Sequence, residues 1–254
     1  MDELSFTDVE VRLGRRTVLR DVSLQVPAGA LVALVGANGA GKTSLLRAGI
    51  GLCAPVVGEV RLAGGDPRAL TAQARARAVA YLPQSRPLAW PLKVHDVVAL
   101  GRFGYGVGLG RLRSLDLEAI ARAVTACDLD SFVDRRTDEL SGGELARVHV
   151  ARALAAEVPL ILADEPIAAL DPLHAVQVMG ALRAFTQAGG AALVTLHDLS
   201  LAARFSDRVL MLKEGRLLAS GPPLAVLTPQ TIADAFGVRA KVSAQGGITV
   251  IGPV

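Results

Sequence analysis

The sequence predicts an α/β domain, a strand–helix core interrupted by an all-helical subdomain inserted at about residues 86–157. Three observations predict it. Short, wholly apolar runs at residues 30–35, 160–163 and 191–194 suit strands buried on both faces of a parallel sheet. The first run ends in a glycine-rich loop followed by a helical pattern. From about residue 91 to 155 the periodicity is helical, and strand–helix alternation resumes after it. A chain of 254 residues is long enough to bury such a core as a single domain spanning 1–254.

Taken in order, residues 4–11 and 22–26 alternate as strands, and residues 30–35 form the buried strand before the glycine loop. A helix is expected over 44–50, short strands at 60–62 and 79–82, and an alanine- and arginine-rich helix near 71–78. The insertion holds helical patterns at 94–100, 117–127 and 144–155, the first two separated by residues 101–110 with their five glycines. The core then continues with a strand at 160–163, a helix at 173–188, a strand at 191–196, a segment at 201–205 and a strand at 209–212. A hairpin from Arg216, a helix near 228–236 and a terminal strand pair around Gly246-Gly247 complete the chain.

Composition excludes several classes. At 51% hydrophobic and 20% charged residues the chain is not disordered. Its 27 basic and 24 acidic residues leave +3, with lysine only at Lys42, Lys93, Lys213 and Lys241, so no nucleic-acid footprint is present. Cys53 and Cys127 have no ligand-spaced partners and suit reduced thiols. The start, Met1-Asp2-Glu3, is acidic, unlike a signal segment. A mean hydropathy of +0.42 suggests a membrane protein, yet the apolar runs are far short of the roughly 20 residues that span a bilayer.

Gly36-Ala37-Asn38-Gly39-Ala40-Gly41-Lys42-Thr43 fits G-x-x-x-x-G-K-[ST]. A phosphate chain needs backbone N–H groups aimed at it from several sides, which β-carbons would obstruct, and the helix opening at Ser44 offers its positive end to the anion. Lys42 then reaches the β/γ-phosphates of a nucleotide such as ATP, and the Thr43 hydroxyl is a ligand for Mg²⁺. The strand Leu160-Ile161-Leu162-Ala163 ends in Asp164-Glu165. On a parallel sheet that end opens onto the ligand crevice, where Asp164 would hold Mg²⁺ through water and Glu165 would orient or deprotonate an attacking water.

Leu140-Ser141-Gly142-Gly143-Glu144, with Arg147 three residues on, resembles the signature motif of ATP-binding cassette proteins. The family's other elements stand in order. Gln84 in Leu82-Pro83-Gln84 matches the Q-loop, Ala169-Leu170-Asp171 the D-loop, and His197 in Thr195-Leu196-His197-Asp198 the switch histidine. The resemblance covers essentially the whole chain and implies a P-loop NTPase core of the cassette ATPase type. It further implies ATP hydrolysis with Mg²⁺ by a head-to-tail homodimer, in which Ser141, Gly142 and Gly143 open a helix facing the γ-phosphate bound by the other subunit. Gln84 would sense Mg²⁺ and the water and link the core to the insertion. His197 would hydrogen-bond the γ-phosphate, and Asp171 would lie at the shared site. His95, His149 and His174 suit structural roles. A soluble cassette ATPase acting on DNA would carry long coiled coils and one acting on ribosomes a second cassette; a kinase or GTPase would leave residues 140–144 unexplained.

The stretch Trp90-Pro91-Leu92-Lys93-Val94-His95-Asp96-Val97-Val98-Ala99-Leu100-Gly101-Arg102 is similar to the importers of iron–siderophore complexes, haem and vitamin B12. So are residues 226–229 and 235–238. This resemblance implies a peripheral subunit on the cytoplasmic face of the bacterial inner membrane. It would dock on a separate integral-membrane permease fed by a substrate-binding protein, with another small substrate such as a metal ion as the alternative cargo. Three positions depart from the pattern. Leu13 stands where many relatives place an aromatic residue against adenine, Ala169 replaces a frequent serine, and Gly104-Tyr105 follows the Gly-Arg pair in place of a proline-containing dipeptide.

Overall fold

The computed structural model describes residues 2–85, 88, 90–168 and 170–254. The expected start of the insertion at residue 86, and Ala169 of the expected D-loop, lie outside the described residues.

Two long strands, β1 (Asp2–Leu13) and β2 (Arg16–Pro27), open the chain and pair antiparallel. With β4 (Pro55–Leu62) on the other side of β1 they form a three-stranded sheet of order β2-β1-β4. The strands expected at 4–11, 22–26 and 60–62 are all extended by this pairing, which alternation alone does not reveal. Between β2 and β4 lie β3 (Leu31–Val35) and α1 (Lys42–Gly49).

The second sheet joins β3 to β5 (Val79–Leu82), β6 (Leu160–Ala163), β7 (Ala191–Thr195), β8 (Arg208–Lys213) and β9 (Arg216–Gly221) in the order β5-β6-β7-β3-β8-β9. All neighbours run parallel except β8 and β9. The apolar runs are continuous because both faces are covered. Leu31, Ala33 and Val35 of β3 enter one core and Val32 and Leu34 the other; Ile161 and Ala163 of β6 likewise oppose Leu160 and Leu162. One core lies against β1, β2 and α1, with Leu4, Phe6, Leu45 and Leu46. The other packs the helices.

They include the insertion's α3 (Val94–Ala99), α4 (Ser114–Ala126) and α5 (Gly142–Ala155), whereas α2 (Ala72–Ala78), capped by Thr71, sets Ala78 against the first core. After β6 come α6 (Pro172–Gln187), α7 (Leu199–Phe205), α8 (Pro223–Val226) and α9 (Pro229–Phe236), then the pair β10 (Val238–Val242) and β11 (Ile248–Pro253). The helices α5, α6 and α7 begin earlier than the expected 144, 173 and 201 because their caps are polar: Ser141 accepts from Glu144 N–H, Asp171 from His174 N–H and Asp198 from Leu201 N–H. Among the described residues, no helix is long and apolar enough to cross a membrane. Both cysteines are free, and burial pushes the Cys127 thiol up to about 12.

The glycine-rich stretch is not an open loop. It coils into short 3-10 turns at Leu100–Tyr105 and Leu109–Arg111, and Arg102 pins it. The Arg102 guanidinium, 5% exposed, donates to Asp116 Oδ1 at 3.0 Å, to the Ala155 carbonyl at 3.0 Å and to Glu157 Oε2 at 3.2 Å. It lies 4.1 Å from the centre of the Tyr105 ring. The Arg113 N–H and the Arg102 guanidinium hold the Asp116 carboxyl below its ordinary value of 3.8 against the opposing effect of burial. A depressed carboxylate stabilises the fold fully above its unfolded value and loses that contribution as pH falls through the folded one. Wild-type stability in urea is therefore expected to fall as pH drops from 5 toward 3 more steeply than that of Asp116→Asn. At pH 7 Asp116→Ala should cost about 1.5–3 kcal/mol, because the buried guanidinium loses one of its two carboxylate partners and keeps Glu157 and the Ala155 carbonyl. Urea melts across that pH range check both.

Candidate nucleotide-binding site

The strand order places the carboxyl ends of β5, β6, β7 and β3 side by side. From those ends emerge, in the same sequence, Gln84, Asp164-Glu165, Thr195 with His197, and the loop over residues 36–43. A cleft of about 770 Å³ opens there, lined by Gly41, Lys42, Thr43, Gln84, Glu165 and His197, with Asn38, Gly39 and Ser44 along the loop.

The loop is shaped by glycines that no other residue replaces. Gly36 has φ 153°, and a Cβ on it would stand 2.3 Å from the Leu212 carbonyl oxygen of β8. Gly41 has φ 108°, and its Cβ would stand 2.8 Å from the Val18 carbonyl oxygen. Lys42, only 6% exposed, curls back so that Nζ donates to the Gly36 and Ala37 carbonyls at 2.7 and 3.2 Å. Burial lowers its pKa, while the negative charges of Glu165 and Asp164 act against that shift. Lys42 is thus a buried cation beside amide-rich backbone at the start of α1, a setting that attracts phosphate.

Asp164 is 1% exposed, and each carboxylate oxygen takes a threonine hydroxyl. Thr43 donates to Oδ2 at 2.7 Å and Thr195 to Oδ1 at 2.8 Å. Glu165 has φ 51°. Its Oε2 accepts from Gln84 Nε2 at 2.8 Å, and its Oε1 lies 2.5 Å from His197 Nε2. A carboxylate so placed, next to a histidine and at the mouth of a phosphate loop, can orient water or take its proton. Among the described residues no group of three or more His, Cys, Asp or Glu side chains gathers to hold a metal. The adjacent Thr43 and Asp164 oxygens are nonetheless the hard donors that Mg²⁺ takes when phosphate supplies further ligands.

The residues expected at the signature do not line this cleft. Ser141 is exposed at the start of α5 in a capping box, donating its N–H to Glu144 Oε2 at 2.7 Å, and that bond holds the Glu144 carboxyl below its ordinary value. A Cβ on Gly143 would be 3.4 Å from Leu170, which neighbours Asp171. Asp171 caps α6, accepting from the His174 backbone N–H and approaching His174 Nδ1 at 2.7 Å, which keeps its carboxyl below the ordinary range. Gly143 thus approaches the residue next to Asp171, and neither glycine nor Asp171 lines the cleft around Lys42. Arg147, 3% exposed, donates to the Cys127 and Asp128 carbonyls beneath α5.

A family profile described as "ABC transporter" matches residues 19–168. The chain belongs to the ABC transporter family. It is similar to the Hemin import ATP-binding protein HmuV of Pseudomonas entomophila, 42% identical over 240 residues, 92% of each chain. It is also 39% identical over 251 residues to the Cobalamin import ATP-binding protein BtuD of Halobacterium salinarum, covering 97% of this chain and 63% of that one. Among solved structures, a dimeric ATP-binding cassette in a post-hydrolysis state bound to ADP and Pi superposes with a TM-score of 0.76 at 26% identity, over 87% of this chain and 98% of that one. As an ABC transporter protein of this kind, the chain is an ATP-binding ATPase.

Leu13 pairs with Arg16 at the tip of the β1–β2 hairpin, is 47% exposed, and is not among the described residues lining the cleft. Arg16, Thr17, Val18 and Arg20 line it instead. Phe6 on the same strand as Leu13 is 2% exposed and belongs to the core, not the cleft. These cleft residues carry no motif, and only the pairing of strands brings them to the site; Thr195 stands in the switch-histidine stretch with His197, but its contacts with Asp164 and Glu165 come from strand pairing.

Gly36→Ala is expected to cost about 1–3 kcal/mol in a thermal or urea melt, because loop and β8 must separate. ATP affinity of the folded variant, measured by calorimetry, should fall with it. Unchanged stability and affinity would mean that the loop tolerates a β-carbon.

Proposed function

We propose that this ABC protein is the ATP-binding subunit of an importer and that ATP hydrolysis at a head-to-tail dimer interface powers uptake of a metal chelate through a separate permease. The observation that carries the dimer is the separation just described. Lys42, Thr43, Gln84, Glu165 and His197 share one cleft, while the N-terminus of α5 at Ser141 stands exposed outside it. A second copy turned head to tail would bring that helix end over the first copy's γ-phosphate, where the positive end of α5 stabilises negative charge. The similarity to a cassette solved as a dimer supports this arrangement.

Within each site, Lys42 and the N–H groups of residues 36–43 bind the phosphate chain, and Gly36, Ala37, Asn38, Gly39, Ala40, Gly41 and Ser44 shape or extend that cradle. Mg²⁺ held by Thr43 and Asp164, with Gln84 nearby, would offset charge on the β- and γ-phosphate oxygens. Glu165 orients the attacking water and accepts its proton. His197 steadies Glu165 and donates toward the γ-phosphate, while Ser141, Gly142, Gly143 and Asp171 complete the partner's site.

The hemin- and cobalamin-import names of the two relatives support a metal-chelate cargo. In this reading the cargo arrives by a substrate-binding protein and a permease, and the subunit sits on the cytoplasmic face of a bacterial inner membrane. Deleting the chain's gene is expected to abolish growth on haem or a siderophore complex as sole iron source, or uptake of cobalamin. Unimpaired growth and uptake on all three would overturn the metal-chelate cargo and favour a metal ion.

Mixed subunits test the shared site. Ser141→Arg and Lys42→Ala dimers should each be inactive. A mixed dimer keeps one site free of both changes and should occlude one nucleotide and regain hydrolysis. Mixed dimers, isolated by crosslinking, that occlude none would overturn the head-to-tail arrangement.

A further inference from the structure

Thr195 is the last residue of β7 and is 0% exposed. Its hydroxyl has one hydrogen to give and lone pairs to accept with. Both capacities are used on the two acids of the neighbouring strand: it donates to Asp164 Oδ1 at 2.8 Å and accepts from the Glu165 N–H at 2.7 Å. Glu165 itself takes φ 51°, in the left-handed region that side-chain-bearing residues rarely adopt. A left-handed residue persists when its surroundings over-determine it, and here the Thr195 hydroxyl holds its N–H directly.

The same hydroxyl bears on the opposite end of the Asp164 carboxylate from Thr43, which holds Oδ2 at 2.7 Å. Rotation of the Asp164 side chain would break both bonds, so the oxygen beside Thr43 is kept in one place. Two residues beyond Thr195 the chain reaches His197, whose Nε2 stands 2.5 Å from Glu165 Oε1. One strand end therefore meets the acidic pair three times, at the Asp164 carboxylate, at the backbone of Glu165 and at its carboxylate.

We propose that Thr195 is a positioning residue for hydrolysis: its hydroxyl fixes the left-handed turn that aims the Glu165 carboxylate into the cleft and locks the orientation in which Asp164 faces Thr43. The proposal rests on the roles given above to Asp164 and Glu165. A merely structural threonine would affect melting and little else. A positioning hydroxyl affects turnover, and the gain in nucleotide affinity that Mg²⁺ brings, when the shape of the side chain is kept and only its hydrogen bonds are removed.

Thr195→Val keeps the shape, and Thr195→Ser keeps the hydroxyl. With Thr195→Val, kcat should fall about ten- to a hundredfold, the range expected for hydrogen bonds to a charged group, with the KM for ATP changed less than threefold. ATP affinity measured by calorimetry without hydrolysis should lose most of its enhancement by Mg²⁺ while affinity without Mg²⁺ is kept. Thr195→Ser should restore both. Rates are taken well below each variant's melting temperature, and Thr195→Ala replaces Thr195→Val if the latter does not fold. Wild-type kcat and Mg²⁺ enhancement in the folded hydroxyl-free variant would overturn the proposal, as would a loss that Thr195→Ser does not restore. Glu165→Gln, run in parallel, separates the two readings. If it turns over normally, the role given to Glu165 fails; if it is inactive while Thr195→Val is normal, only the positioning role fails.

Discussion

Four strand ends on one edge of the sheet support everything at the site. Parallel strands β5, β6, β7 and β3 are neighbours in that order, so segments from residues about 36, 84, 164 and 197 meet although they are far apart in the chain. Hydrogen bonds then join neighbours along the edge. The Asp164 N–H donates to the Leu82 carbonyl at 2.8 Å, Thr195 joins β7 to the acids that follow β6, and Thr43 joins α1 to Asp164. A ladder that aligns strands for burial thus also aligns the polar groups beyond their ends.

Much of this was legible in the residues because the signals are local. The apolar runs at β3, β6 and β7 lie where unbroken hydrophobicity placed them, and the turn of glycines before Lys42 has the left-handed backbone that its composition requires. Caps were less legible. Apolar periodicity starts a helix at its first buried residue, whereas Ser141, Asp171 and Asp198 start theirs with polar side chains. Pairing was not legible at all. Alternation in β1, β2 and β4 describes a half-buried strand, and nothing in it distinguishes a separate antiparallel sheet from an extension of the parallel one.

The same limit applies to the site. Gln84, Asp164, Glu165 and His197 belong to motifs that can be aligned by eye; Gln84, Glu165 and His197 line one cleft, and Asp164 is buried behind it against Thr43. Arg16, Val18 and Thr195 reach the same region through sheet geometry and hairpin register, so one sequence could not single them out. Leu13 illustrates the converse: one register position decides whether a side chain faces a cleft or water, and here the neighbours Arg16 to Val18 take the cleft side. Glu165, held on one oxygen by Gln84 and on the other by His197, connects the two ends of this edge through one carboxylate.

The pinned glycine stretch bears on how displacement travels through the protein. Five glycines between α3 and α4 would, if solvated, make a joint in which any push is dissipated. Arg102 instead ties that joint to α4 through Asp116, to the end of α5 through the Ala155 carbonyl, and to Glu157 beyond it. Helices braced in this way behave as a lever arm with little compliance: a shift at the Ser141 end of α5 reappears at the Glu157 end instead of being lost between them. The apolar packing of α3, α4 and α5 gives that arm its stiffness, and one guanidinium extends it across the glycine stretch.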